Sequence, residues 1–171
     1  ILEDGSIPQV EMTSCGANGG PLIGRGEYPA YIACNLFCKE DAMYTGGFGP
    51  TGAWMSAQFP KITQDGRDGD EEIGYIANMV DSATAGFKYF DCRGVKEVRI
   101  KVRGYCRGAF EVKTSWDGPA LSRIPVDFTN IWTEYRADIR IPDGVHPLYF
   151  TYTGSGSASL ASFTLVCEGD E

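Results

Sequence analysis

The chain has 171 residues and a hydrophobic content of 43%, enough for one domain that buries about two-thirds of its unfolded surface. A net charge of −8 argues against a nucleic-acid partner, because phosphate binding needs clustered Lys and Arg. No apolar run approaches the roughly 20 residues of a membrane helix, so no membrane partner is expected either.

The chain starts at Ile1 without a signal-like apolar segment, which leads to the expectation that it is a piece of something longer. Twenty-two glycines and nine prolines disfavour a helical bundle and suit an all-β fold with many turns.

In chain order, Gln9 to Ser14 reads as an opening strand and Ala30 to Phe37 as another. Between them Cys15-Gly16-Ala17-Asn18-Gly19-Gly20-Pro21 reads as loop. The stretch from about 15 to 48 is taken as an irregular insertion in a single domain spanning 1–171. Ala53 to Phe59 reads as a third strand, and Asp65 to Glu72 as an acidic loop.

From Gly74 to Cys167 the alternation is clean. Val98, Ile100 and Val102 alternate with Arg99, Lys101 and Arg103. Phe110, Val112 and Thr114 alternate with Glu111 and Lys113. Tyr135, Ala137, Ile139 and Ile141 alternate with Glu134, Arg136, Asp138 and Arg140, and Ala161, Phe163, Leu165 and Cys167 form a last inward set. Turns are predicted at Arg103-Gly104, Asp117-Gly118-Pro119, Pro142-Asp143-Gly144 and Gly154-Ser155-Gly156. Short strands at this spacing make an all-β fold, a β-sandwich of jelly-roll type, closed by pairing of its first and last strands.

The six cysteines include no C-x2-C pair, and there is one histidine, so a structural zinc site is not expected. Both buried free thiols and one or two disulfides remain open. With His146 alone, no catalytic network based on histidine has support elsewhere, and its place at a strand start reads as packing. Asp68-x-Asp70-x-Glu72 lacks the glycine and terminal Glu of a calcium loop and reads as solvated. No two carboxylates stand out as a glycosidase pair.

The order of motifs is more specific than any one of them. Gly74-Tyr75-Ile76 is followed by Gly86-Phe87-Lys88-Tyr89-Phe90-Asp91. Then come Trp116-Asp117-Gly118-Pro119, the lone Trp132, and Gly144-Val145-His146-Pro147-Leu148-Tyr149. This series resembles the family 6 carbohydrate-binding modules. With Glu27-Tyr28-Pro29-Ala30-Tyr31-Ile32-Ala33-Cys34-Asn35, it is similar to the C-terminal non-catalytic domains of some family 43 glycoside hydrolases, which act on xylan and arabinan side chains.

The resemblance implies a non-catalytic module that binds plant cell-wall polysaccharide or oligosaccharide (xylan, arabinoxylan or β-glucan). A covalently linked glycosidase catalytic domain would be its partner, in a secreted or cytoplasmic bacterial enzyme. Tyr75 and Trp132 match two rings that sandwich a sugar, a face of axial C–H groups being a good partner for an aromatic face. Asn78, Ser157 and Ser159 are the candidate polar contacts. Serines stand where the family has an amide, and Thr84 stands where it often has a Trp. Trp54 and Trp116 are candidates for a second site on the concave face, with core or rim packing the simpler reading.

The family's structural calcium site is matched by Gln9 and Glu11, while Ser159 or Ala161 replaces its last-strand Asp. The rival reading is a structural accessory domain of a glycoside hydrolase that has lost sugar binding and docks through its insertion.

Overall fold

The computed structural model describes residues 3–7, 9–16, 19–38, 59–66 and 74–170. Its strands are β1 (Leu22–Ile23), β2 (Gly26–Pro29), β3 (Asn35–Phe37), β4 (Lys61–Gln64), β5 (Gly74–Met79) and β6 (Thr84–Cys92). They continue as β7 (Val95–Gly104), β8 (Cys106–Lys113), β9 (Ser122–Val126), β10 (Thr129–Asp138), β11 (Gly144–Gly156) and β12 (Ala158–Cys167). A single 3-10 turn, Ala30–Ile32, joins β2 to β3. Among the described residues no helix is long and apolar enough to cross a membrane.

The strands form two six-stranded sheets. The first runs β1-β6-β11-β8-β9 with β3 also on β6; the second runs β10-β7-β12-β5-β4 with β2 also on β12. Among the described residues only the β1–β6 pair is parallel; the other pairs are antiparallel. Pro125 sits in β9, an edge strand, where the N–H that proline lacks is not needed for a ladder.

The inner faces pack as the alternation predicts. Val98, Ile100 and Val102 of β7 and Phe110 and Val112 of β8 are buried, while Arg99, Lys101 and Arg103 point away from the core. The centre is aromatic. Phe163 of β12 lies 4.8 Å from Phe87, 4.9 Å from Phe150 and 5.7 Å from Phe90, ring centre to ring centre. Burying a side chain of this size stabilises by about 1.5–3 kcal/mol relative to exposure.

Bulges break the period where it matters. Phe87 and Phe90 are three apart yet both buried, because the β6–β11 register shifts between His146 and Leu148. In β5, Ile76 and Met79 are likewise both buried. There the β12 register shifts between Ala158 and Leu160, and Asn78 takes a left-handed conformation at φ 61, one that Asn tolerates better than most residues.

Several expectations are corrected. Residues 9–14 form no strand; Ser14 N–H donates to the Lys88 carbonyl at 2.6 Å, laying that segment along β6. The amino-terminal strand that pairs with the last one is β2 instead, with Tyr28 opposite Phe163. Within the stretch taken as an irregular insertion, residues 22–29 supply β1 to the first sheet and β2 to the second, and the strand expected at Ala30 to Phe37 is a 3-10 turn followed by the shorter β3. Gly154-Ser155-Gly156 is not a turn but the end of β11, paired to Gly108, Arg107 and Cys106. Thr114 lies beyond β8, and Ile139 and Ile141 lie beyond β10, although both isoleucines are buried. The expected strand at Ala53 to Phe59, with Trp54, and the acidic positions Asp68, Asp70, Glu71 and Glu72 fall outside the described residues, apart from Phe59 itself.

Cys15, Cys34, Cys92, Cys106 and Cys167 are free thiols. Cys92, Cys106 and Cys167 are buried, and burial pushes the Cys92 thiol up to about 11.

Candidate functional site

The second sheet brings four of its strands to one end. Thr63 of β4 pairs with Tyr75 of β5, which places Asp65, just past β4, beside the Tyr75 hydroxyl. Arg103 is the next-to-last residue of β7 and lies opposite Ser159 of β12. On the far edge, β10 bulges between Thr129 and Thr133, and Trp132 stands in that bulge. Threonine hydroxyls hold the bulge closed. Thr129 Oγ1 is 2.9 Å from Thr133 Oγ1, and both donate to the Ile131 carbonyl, at 2.8 and 3.1 Å.

Tyr75 and Trp132, which the resemblance matches to two rings sandwiching a sugar, lie against each other, but not as two parallel walls. Their ring centres are 5.3 Å apart with the planes at 67°, an edge-to-face contact. That is direct ring–ring packing, with no room for a sugar between them. In place of two separated rings the structure has one joined platform.

The sequence reading missed Arg103 and Asp65, which complete the platform. The Arg103 guanidinium lies 4.3 Å from the Trp132 ring centre and 5.3 Å from that of Tyr75. Its Nη2 is 2.9 Å from Asp65 Oδ2, and the Tyr75 hydroxyl donates to Asp65 Oδ1 at 3.0 Å. Arginine suits this place because one planar group stacks on rings and grips a carboxylate at once. Burial first, and then the Asp65 hydrogen bond and charge, raise the Tyr75 phenol above its ordinary value, so it stays a neutral donor. The charges of Arg103 and Asp65 offset each other. The platform therefore presents ring surface and hydrogen-bonding groups with no net charge, which suits a neutral, hydroxyl-rich ligand.

Of the predicted polar contacts, Ser159 lies across the ladder from Arg103. Asn78 is on β5 beyond Tyr75, its carbonyl accepting from Val80 N–H at 2.9 Å. Ser157 sits in the one-residue link between β11 and β12, and its N–H donates to the Tyr105 carbonyl at 3.0 Å. Nothing local in the sequence marks Arg103 as special; it is one of four cations on β7 that point away from the core. Only the β10 bulge and the β4–β5 hairpin give it two rings and a carboxylate.

On the first sheet, half-exposed Trp116 packs edge-on to Phe37 at 4.6 Å and to Tyr149 at 5.6 Å. This is the rim packing that was the simpler reading for it. Thr84, in the family's Trp position, is buried with its Oγ1 2.8 Å from Thr151 Oγ1. His146 Nε2 lies 2.9 Å from the Pro142 carbonyl, a structural contact.

Gln9 and Glu11 do not fit a calcium site. They lie in an exposed segment without strand structure, and Glu11 is engaged by a cation. Lys88 Nζ donates to its Oε1 at 2.8 Å, and the Tyr89 hydroxyl lies 2.8 and 2.9 Å from its two oxygens. Among the described residues no group of three His, Cys, Asp or Glu side chains is placed to hold a metal ion.

No protein-family model matches the chain. A curated relative from Thermoclostridium stercorarium, described as a xylosidase/arabinosidase, is 76% identical over 165 residues, which cover 96% of this chain and 34% of the relative. The chain thus spans about a third of that relative's length. Among solved structures, a family 6 carbohydrate-binding module from Clostridium stercorarium in complex with cellobiose superposes with a TM-score of 0.64 at 15% identity, covering 88% of this chain and 99% of that one. A β-1,3-glucan-binding family 6 module from Bacillus halodurans gives 0.63 at 15% identity, covering 86% of this chain and all of that one. A family 43 arabinoxylan arabinofuranohydrolase from Bacillus subtilis, in complex with cellotetraose, gives 0.64 at 16% identity, covering 98% of this chain and 32% of that one. The chain has the β-sandwich fold of the family 6 carbohydrate-binding modules and is similar to a part of a protein described as a xylosidase/arabinosidase.

Proposed function

We propose that this chain is a non-catalytic module that binds a neutral plant cell-wall glycan, namely xylan, arabinoxylan or a β-glucan, and holds an attached glycoside hydrolase near it. The observation that carries this reading is the platform of Tyr75, Trp132 and Arg103, charge-compensated by Asp65. Ring surface takes the apolar face of a pyranose, and the Tyr75 hydroxyl and the Arg103 N–H groups are hydrogen-bonding partners for its hydroxyls. Ser159, Ser157 and Asn78 border this end of the sheet and are the further polar contacts of the proposal. The 76% identity to a xylosidase/arabinosidase supports the glycan class and the attached enzyme. Binding of this open kind is weak, on the order of millimolar to micromolar. Tethering offsets the weakness, since a linked catalytic domain experiences a high effective substrate concentration.

The test is affinity electrophoresis in gels containing soluble xylan, arabinoxylan or mixed-linkage β-glucan, run beside Trp132→Ala. Retardation that disappears in the variant is the expected result. Retardation that persists moves the site to the Trp116, Phe37 and Tyr149 face of the first sheet. No retardation in any gel favours a structural accessory domain. One observation speaks for that second reading: the direct Tyr75–Trp132 contact closes the slot in which a sugar would be sandwiched.

A further inference from the structure

A second pair of rings stands close to the platform in the chain and has no part in the core. Tyr105, in the β7–β8 connection, is 79% exposed, and Phe128, in the β9–β10 connection, is 51% exposed. Their rings stack on each other with centres 4.8 Å apart and planes at 29°. Beside them is a depression of about 240 Å³ lined by Tyr105, Cys106, Arg107, Phe128, Ser155 and Gly156.

The backbone under these rings is fixed. Asp127 Oδ1 accepts from Phe128 N–H at 2.8 Å and from Arg107 Nε at 3.0 Å. Tyr135, from β10, donates its hydroxyl to the Asp127 carbonyl at 3.0 Å. Ser157 N–H holds the Tyr105 carbonyl at 3.0 Å. Gly104, at φ +141, lets β7 pass the start of β12 so closely that a Cβ there would lie 2.5 Å from the Ser157 carbonyl oxygen. Two apolar rings are thus held stacked in water by polar contacts to their own backbone, an arrangement that ordinary packing does not require.

The pair is joined to the first platform by two short chain paths. Tyr105 is two residues beyond Arg103, about 7 Å along an extended chain, and Phe128 is four residues before Trp132 in the same β10 approach. We propose that the stacked Tyr105–Phe128 pair is a second sugar platform that extends the Tyr75–Trp132 site, so that the chain engages several consecutive residues of a glycan. This rests on the reading of the chain as a glycan-binding module. The chemistry fits a sugar better than a protein surface. Among the described residues the large exposed hydrophobics near it in the chain are the two rings and Ile131, whereas a stable protein contact needs about 800 Å² per partner. Arg107 and Ser155 also line the depression; beyond the Ser155 Oγ bond to the Arg107 carbonyl at 3.4 Å and the Arg107 Nε bond to Asp127, the hydroxyl oxygen can accept and the guanidinium can donate further, as sugar hydroxyls require.

Calorimetric titration of the full chain with xylobiose, xylohexaose, cellobiose and cellohexaose tests this. The variants are Tyr105→Ala/Phe128→Ala, Trp132→Ala and the ring-preserving Tyr105→Phe, each checked for an unchanged circular dichroism spectrum. The expected result is that the double variant binds the hexasaccharide about tenfold more weakly and the disaccharide as before. Tyr105→Phe should keep most of the hexasaccharide affinity, and Trp132→Ala should lose both ligands. Unchanged hexasaccharide binding in the double variant, with binding still lost in Trp132→Ala, overturns the second platform and leaves the first. Equal weakening of both ligand lengths also overturns it, since the rings then only support the first site. Wild-type chain that binds none of the four ligands overturns the glycan-binding reading itself.

Discussion

The aromatic residues of this protein fall into two populations held by different forces. Phe87, Phe90, Phe150 and Phe163 have no exposure and are pinned between two sheets. Tyr75, Trp132, Tyr105 and Phe128 lie at the rim, each part of a ring pair, and polar groups position them: Asp65 and Arg103 for the first pair, Asp127 and the Ser157 N–H for the second. The central rings owe their place to exclusion of water and define the fold. The rim rings are kept at the surface, where ring area is of use only to something that arrives from outside.

The sharpest way to break this division is at its centre. Phe163→Ala should cost about 3–5 kcal/mol in urea denaturation, because it leaves a cavity among rings from both sheets. A loss below about 1 kcal/mol would mean that the centre is not what holds the sheets together. Trp132→Ala should do the reverse, abolishing retardation by glycan while changing stability by no more than about 1–2 kcal/mol, since the ring is only partly buried. Arg103→Lys refines the account of the rim. It keeps the charge but loses the flat stack on Trp132, and should cost about 1 kcal/mol or less of stability and weaken binding severalfold.

Two smaller effects concern titration. The Phe128 N–H and the Arg107 guanidinium hold the Asp127 carboxyl below its ordinary value of 3.8. A depressed carboxyl stabilises the folded state above its unfolded value, and that contribution is lost as pH falls through the folded one. Thermal melting should therefore show wild type losing a small margin over Asp127→Asn as pH drops from about 4 to about 2. A margin that is constant with pH would detach Asp127 from the second ring pair. Among the thiols, labelling of the native chain with a disulfide reagent at about pH 8 should spare Cys92, Cys106 and Cys167, which are buried, and reach them after unfolding. Fast labelling of Cys92 in the native chain would contradict its enclosure between the sheets.

Much of the sandwich was legible because its strands alternate. Val98 to Val102 on β7 and Phe110 to Val112 on β8 carry their burial in the pattern itself. The pattern misled where a bulge reset it, as between Phe87 and Phe90, and where glycines that resemble a turn continue a strand, as at Gly154 and Gly156. It also misled at the amino-terminal side, where β1 and β2 are too short to alternate. Tyr75 and Trp132 were legible through the resemblance. Their mutual angle, and the Arg103 and Asp65 that join them, were not.

The sequence by itself determined the all-β class, the inward faces of the long strands and the two rings of the first platform, because each follows from local residue order or a matched motif. The tertiary structure decided which strands share a sheet, that β2 rather than residues 9–14 closes against β12, and that Glu11 is engaged by Lys88 and Tyr89. It also decided that Tyr105 meets Phe128 across two connections. These are contacts between residues far apart in the chain. Their register and bulges are set by packing of the whole, which no local pattern encodes.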